Sequence, residues 1–485
     1  MVINFTRRHI FHLIGAIAVL IWIYLFVQLY KDIHAHQDKS SISTFSSPEG
    51  SWFEIFFKAK KIGYLVDRLI PTKTGYTVKE NLFIKVAFLG YPEDVNMNVV
   101  CDTDKNFVLK KFDLSLIADK LRFHISGIVK GRELIINRRS GGKGFQYKIY
   151  LLNPPVLGIS MFPYIRARRI AIGDVFSIPF LDPTTMGQHE IKVKVMGKEK
   201  IKIKNIVYTA YRLETEIWGN PVIMWVDPDG RVLRQQGLMG LVITRSNPQD
   251  AMANMASPDL YNIVSIKADK KIPDPRALSY LKVRINGGQY NDKVLEIKRV
   301  TLPKTSLYEV PYKEKDLSRY LVSEFNIECD SDLILKKAKE IAGKEKDPAK
   351  IVKKIVDWVY KHIEKRPVLS IPSALETLKG KVGDCNEHAV LVTALLRAVG
   401  IPARICVGLI YNNGYFFYHA WNEAYIGKWI PVDATLDQIP VDAAHILLFH
   451  GDIEKQIQLT RLLGNLEIKI LEFAHDKANR SHKTI

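Results

Sequence analysis

From residue 51 to about residue 247 the chain alternates apolar and polar positions, in FEIFFKA, GYTVKENLFIKVAF, KLRFHISGIV, RELIINRR, FQYKIYLL and PVIMWVDPDGRVLRQQ. A period of two marks strands with one buried and one wet face. Turn signals such as PEDVN, SGGKG, MGKE and DPDG separate the runs, so the pattern predicts one large antiparallel sheet or two packed ones. A smaller β-rich piece follows, with LSYLKVRI and KVLEIKRVTL as its strands. The spacing then changes to three and four in DSDLILKKAKEIAG (Asp330 to Gly343) and DPAKIVKKIVDWVYKHIEKRP (Asp347 to Pro367). Both segments open at an Asp cap and close at Gly or Pro, which predicts helices. Trp358 falls on the apolar face of the second and reads as core.

One stretch is hydrophobic on all sides. Ile10 to Tyr30 holds 21 residues without Asp, Glu, Lys or Arg. As a helix it reaches ~31 Å, the thickness of a bilayer's hydrocarbon core. It is too long for a signal-peptide core and no small-residue cleavage site follows, so it reads as an uncleaved signal anchor. Arg7 and Arg8 before it balance Lys31 and Lys39 after it. A short leading flank and a long trailing body favour a cytoplasmic N-terminus and an extracytoplasmic, periplasmic body. His34 to Gly50 is a polar stalk.

Charge changes the picture less than its size suggests. The chain has 70 Lys and Arg against 51 Asp and Glu, a formal net charge of +19. In IKVKVMGKEKIKIK (Ile191 to Lys204) the lysines alternate with Ile and Val, as on the wet face of a sheet. No zinc-finger, helix-turn-helix or RNP-like pattern accompanies the charge, so nucleic acid is not an expected partner. The four cysteines are far apart and lack CxxC spacing, and no acidic run has EF-hand spacing. Neither a metal nor a cofactor is implied.

The candidate chemistry sits in VGDCNEHAVL (Val382 to Leu391). Ala389, Val392, Leu396 and Val399 lie on the same helical stripe as Cys385, Gly400 closes the helix, and IPARICVGLIY reads as a buried strand. Cys385 thus stands in a first turn, where the helix dipole favours a thiolate, with Asp384 or Gly383 as the cap. Next, YNNGYFFYHAWNEAYIGKWIPVDAT (Tyr411 to Thr435) opens on an Asn-Gly hairpin signal and gives two strands about a turn near Ile426 and Gly427. With the turn centred on Ile426, opposed positions sum to 852, which pairs His419 with Asp433 (419 + 433) across the strands. Cys385, His419 and Asp433 then supply a nucleophile, a base and a carboxylate that orients it.

Lesser candidates surround this set. His388 stands one turn beyond Cys385 with little freedom to reach a leaving group, and His445, in DAAHILLFHGD, could line the same cleft. Trp421 and Trp429 read as packing for the hairpin. Cys406 reads as a small core filler, with a disulfide to Cys385 as the alternative in an oxidising compartment.

GDCNEHAVLVTALLRAVGIPAR, YHAWNEAYIGKW and IPVDAT together resemble the transglutaminase-like superfamily, over about Asp330 to Gln438. The resemblance extends to a bacterial subset in which this core follows a membrane anchor and a long β-rich region. It implies an α+β chain: an N-terminal transmembrane helix, an antiparallel β-rich ectodomain, and a C-terminal papain-like core whose cysteine helix packs on an antiparallel sheet. The expected divisions are residues 1–33 anchor, 34–50 linker, 51–250 β-rich domain, 260–310 smaller β-rich segment, 325–450 transglutaminase-like core and 451–485 C-terminal extension. Cys385, His419 and Asp433 stand at the family's catalytic positions. The implied activity is cysteine acyl transfer on peptide or carboxamide bonds through a thioester, as a peptidase or amidase or as a cross-linker. The other expectation is a catalytically inactive binding module of the cell envelope. The expected partners are a protein or peptide substrate and the membrane, the latter through the N-terminal helix; oligomeric state is left open.

Overall fold

The computed structural model describes residues 50–475 except 89–90, 119–120, 141–142, 183–186, 218, 238–239, 260–264, 304–306, 367–372, 452–461 and 463–465. The anchor expected at Ile10 to Tyr30 lies outside the described residues. Among those residues no helix is long and apolar enough to cross a membrane.

Between Ser51 and Ser246 the alternating runs form a single 15-stranded sheet rather than two. Eight strands meander outward from Ser51–Phe57 to Lys143–Tyr150, and seven more run back from Val156–Leu157 to Leu241–Ser246. The first and last strands pair antiparallel, with Ile55 opposite Ile243, and so join the two meanders edge to edge. Leu134 and Ile136 from one meander share an apolar cluster with Leu157 and Leu181 from the other. The sheet is therefore curled, and the face selected by period two closes on itself as a core. A short helix, Met161–Ala167, buries Met161 and Ile165 in the adjoining cluster.

The C-terminal core is built on one helix. Cys385–Ala398 is buried from Glu387 through Arg397, so it has no wet face and other elements must surround it. Asp332–Ala342, Pro348–His362 and Ala374–Gly380 pack around it, together with the antiparallel strands Ala403–Asn412 and Tyr415–Tyr425. Asp347 caps Pro348–His362 as expected, accepting from the Ala349 and Lys350 N–H groups, whereas the first helix is capped at Ser331 and not at Asp330. Removing a methyl-rich side chain from the centre of this layer, as in Leu395→Ala, costs about 2–5 kcal/mol.

The expected small β-rich segment belongs to this same core. Its two expected strands, Leu278–Gly287 and Tyr290–Lys298, pair antiparallel, and Leu281, Val283 and Ile285 join the apolar cluster that holds the cysteine helix. The sheet gains a third strand from the C-terminal extension, Glu467–His475, paired with Leu278–Gly287. EIKILEFAH carries the alternation that a strand requires, with Ile468 and Ile470 buried.

Candidate active site

Every residue of GDCNE has a local task. Asp384 is the helix cap, its carboxylate accepting from the Asn386 N–H at 2.8 Å, while Glu387 reaches back to accept from the Asp384 N–H at 2.9 Å. This reciprocal box settles the cap on Asp384 and fixes where the helix starts. A Cβ on Gly383 would lie 2.3 Å from that of Glu387, so only glycine lets the chain pass the returning side chain. Cys385 follows as the first helical residue.

The histidine strand is Tyr415–Tyr425. Its hairpin to Ala403–Asn412 turns at Asn413 and Gly414, both at positive φ (46° and 86°), the two-residue turn that Asn-Gly predicts. Ser265–Lys267 pairs with its outer edge as far as Phe417, and Trp429–Val432 takes over that edge from Asn422 onward. Among the described residues no strand pairs with positions 418–421 on that edge. At this break the Ala420 backbone N–H faces the Cys385 thiol. Behind it, Asn422 is anchored to the cysteine helix, donating to the Ala389 carbonyl at 2.8 Å and to Thr393 Oγ1 at 2.7 Å.

The hairpin register differs from the expected one. Tyr425 pairs with Trp429 and Asn422 with Val432, so opposed positions sum to 854 and the turn centres on Gly427, whose φ is 98°. Ile426 cannot be that centre, because the middle position requires a conformation glycine adopts without strain. The offset is two residues, and side chains repeat every two, so His419 and Asp433 still point to the same face. They meet diagonally, with His419 Nε2 2.8 Å from Asp433 Oδ2. Both are buried, at 9% and 1% exposure.

Asp433 has a second imidazole partner. His445 Nε2 lies 3.2 Å from the same Oδ2, and His445 Nδ1 lies 3.0 Å from Asp442 Oδ1. Asp442 in turn takes Gln438 Nε2 at 2.7 Å and the Arg276 guanidinium at 3.0 Å, while Asp433 Oδ1 accepts from the Thr435 N–H at 2.7 Å. The spacing of His419, Asp433 and His445 would also suit metal ligands, but their donor atoms are consumed by bonds to one another. In a second group with that spacing, Cys406, Glu423 and His450, the Glu423 carboxylate is taken by Arg404 at 2.6 Å.

Burial pushes the Cys385 thiol well above the usual thiol range, the charges of Asp384, Glu387 and Asp433 add to that, and only the Ala420 N–H opposes them. These directions run against the expected dipole-stabilised thiolate. Burial works against ionisation of Asp433 too, yet the charge and hydrogen bond of His419, with that of His445, hold it far below the usual carboxylate range. Asp442 is likewise lowered despite burial, by His445, Arg276 and Gln438. His445 is raised despite burial, by Asp433 and Asp442.

His388 is not a cleft residue of the expected kind. It is 1% exposed, its Nδ1 donates to the Asp384 carbonyl at 2.7 Å, and burial lowers its pKa. Trp421 packs with Cys406 and Val441, and Trp429 packs against Tyr320 and Tyr425, as hairpin supports. Trp358 stacks on His362. Cys385 and Cys406 are both free thiols in separate surroundings, so the alternative of a disulfide between them is not realised. Sequence reasoning missed Asp442 and Arg276 altogether. Asp442 stands three residues before His445, a spacing that identifies a partner only once the chain direction there is known, and Arg276 comes from 166 positions upstream (442 − 276).

A cysteine at the start of a buried helix, packed on an antiparallel sheet that carries a His–Asp pair, is a papain-like arrangement. Residues 336–434 match the model of the transglutaminase-like superfamily. Among solved structures, a candidate cysteine protease from Cytophaga hutchinsonii is similar at 21% identity over 46% of this chain and 86% of that one, with a TM-score of 0.30. The periplasmic domain of TgpA from Pseudomonas aeruginosa, bound to ethylmercury, matches at 14% identity over 36% of this chain and 89% of that one, with a TM-score of 0.23. A β-barrel-like protein of a domain of unknown function from Brucella abortus matches at 9% identity over 41% of this chain and 98% of that one, with a TM-score of 0.33. No curated protein matches the chain.

Proposed function

We propose that the chain is a membrane-anchored cysteine acyl transferase that cleaves or exchanges a peptide or carboxamide bond through a thioester. The observation that carries this reading is the buried His419–Asp433 pair, 2.8 Å apart, on the strand whose next N–H meets the Cys385 thiol. Asp433 occupies Nε2 of His419, which leaves Nδ1 as the base. The thiol is neutral at rest, so its proton passes to Nδ1 as sulfur attacks the carbonyl carbon. The imidazolium then protonates the departing amine as the C–N bond breaks, leaving the acyl group on sulfur. Water or a second amine, deprotonated by His419, attacks the thioester and restores the thiol. The attacked oxygen gathers negative charge near the first turn of the cysteine helix, where backbone N–H groups favour it.

In this reading the substrate is a protein or peptide outside the cytoplasm, and Ile10 to Tyr30 tethers the body to the membrane. The test uses the full chain in detergent with a glutamine-containing peptide library, a labelled primary amine and water carrying heavy oxygen. Intact mass should show an acyl adduct on the wild type that is absent from Cys385→Ser. Heavy oxygen in the product identifies a hydrolase, and amine incorporation identifies a cross-linker. A second reading, an inactive module that binds an envelope polymer, is favoured by the raised thiol. It prevails if no library member acylates Cys385 and the wild type and Cys385→Ser bind ligands alike.

A further inference from the structure

Beyond the three residues of the proposed reaction, Asp433, His445, Asp442 and Arg276 form a continuous chain of paired charges. Asp433 and Asp442 are 1% and 2% exposed and His445 is 3% exposed. Both nitrogens of His445 face carboxylate oxygens, at 3.2 Å and 3.0 Å. A neutral imidazole has one N–H, so it would turn a bare lone pair toward one of those oxygens with no water to intervene. Protonating a carboxyl group would relieve that contact, but each carboxylate already has other donors. Asp433 has His419 and the Thr435 N–H, Asp442 has Gln438 and the Ala444 N–H at 2.9 Å, and Arg276 pairs with Asp442 by charge. Two carboxylates are balanced by Arg276 and one more positive charge, and the ring between them is placed to carry it.

We propose that His445 is held as an imidazolium between Asp433 and Asp442, so that the Asp433 carboxylate is shared between two imidazole rings and does not serve His419 alone. His445 is then a positioning residue, acting on the reaction through Asp433. The inference rests on the proposed reaction for its purpose, though not for its observation. The directions of the shifts at His445 and Asp442 agree, His445 being raised and Asp442 lowered in spite of burial. Other charges face the cluster too. Lys365 and Cys385 approach from the Asp433 side, and Glu296, Lys298 and Glu423 line a cavity of about 310 Å³ that reaches His445 and Asp442. None of these lies between His445 and its two carboxylates.

The test is nuclear magnetic resonance on the full chain with nitrogen-labelled histidine. Wild-type His445 should show protons on both ring nitrogens throughout the neutral pH range, and a single ring proton there overturns the proposal. In His445→Gln the side-chain amide still donates to Asp433, so a purely structural role leaves the labelled His419 ring signals where they were. Loss of a positive charge whose ring centre is 5.7 Å from that of His419 should instead shift the His419 ring-nitrogen signals at neutral pH. Asp442→Asn should produce a shift of the same sign, because His445 then lacks its second carboxylate. An unmoved His419 in both variants overturns the proposal. Neither readout requires Cys385 to react. If Cys385 proves inert while His445 is doubly protonated, the acyl-transfer reading fails and the charge assignment stands.

Discussion

The protein holds two pairs of acidic side chains largely out of water, and treats them in opposite ways. In the large sheet Asp67 and Glu80 are half-buried cross-strand neighbours. Burial, and then the charge of Asp67, push the Glu80 carboxyl up to about 8, and Asp67 is raised as well, with Ser51 and Arg245 only partly offsetting its burial. In the core Asp433 and Asp442 flank His445 and stay ionised. Burial alone does not decide the charge of a carboxyl group; the donors and cations buried with it do. The sheet offers Glu80 a like charge, and the core offers each aspartate an imidazole and backbone N–H groups. The first arrangement costs stability at neutral pH, and the second makes a site that can handle protons.

The sharpest way to break the comparison is to remove the core's compensation at its catalytic end. His419→Ala, or Asp433→Asn, should slow acylation of Cys385 on the order of 10³-fold. Intact-mass kinetics with a substrate found for the wild type would measure it. An unchanged rate would mean that the buried pair serves folding alone. Next in size is Arg276→Met, which leaves Asp442 with His445 as its cationic partner. Breaking a fully buried pair costs about 3–5 kcal/mol, but the Arg276 side chain is 34% exposed. The expected loss, discounted for solvent screening, is therefore about 2 kcal/mol in urea unfolding at pH 7. A loss below about 0.5 kcal/mol would show that Gln438 and the local N–H groups suffice.

How far sequence reaches into these two regions differs for the same reason. The strands of the large sheet were legible because period two is local, though not their joining into one sheet, and so were the helix start at Cys385 and the Asn413–Gly414 turn. His419 and Asp433 were legible as partners even though the register was misplaced by two, since an even error preserves the face. The Glu467–His475 strand carried its alternation openly, but at the end of a chain an alternating run has no visible partner. The relay through His445 was not legible. It depends on Arg276, Asp433 and Asp442 arriving from three separate segments, and no local period encodes that meeting. The Cys385 charge state failed similarly: the helix dipole is local, while the Asp433 charge that helps to overrule it is brought by the fold.

The acid pair of the sheet predicts a stability gain from a conservative change. Glu80 has a folded-state pKa of about 8 against an ordinary 4.5, so the folded protein binds the extra proton between those values. Its penalty is absent below about pH 4.5, grows as pH rises toward 8, and is fully present above. Glu80 keeps some contact with solvent, which screens part of that penalty. Glu80→Gln should therefore stabilise the protein by on the order of 1–2 kcal/mol at pH 9 and leave it unchanged at pH 4. The core acids run the other way. Asp433 and Asp442 contribute stability above their unfolded range near 3.9, and lose it as pH falls through their lower folded values. His445, raised by folding, contributes below about 6.5 and loses that as pH climbs through its folded value. Urea unfolding of the wild type and Glu80→Gln across pH 4 to 9 separates the two signs. Equal stability of the two proteins at pH 9 would mean that water solvates the Glu80 carboxylate fully.

The smallest effect isolates the like charge from burial. Asp67→Asn keeps an oxygen to accept from Ser51 but removes the carboxylate charge opposite Glu80. Burial is the larger cause of the Glu80 shift, so its midpoint should fall by less than one unit, remaining well above 4.5. The readout is the pH at which the advantage of Glu80→Gln stops growing, which marks the folded-state midpoint, measured with and without the Asp67→Asn change. A midpoint that does not move assigns the whole shift to burial, and the contrast with the core then rests on hydrogen bonds alone. A midpoint that falls to the ordinary value makes Asp67 the dominant partner. In that case the sheet pair is the counterpart of Asp433 and Asp442 with one element missing, a cation between the two acids.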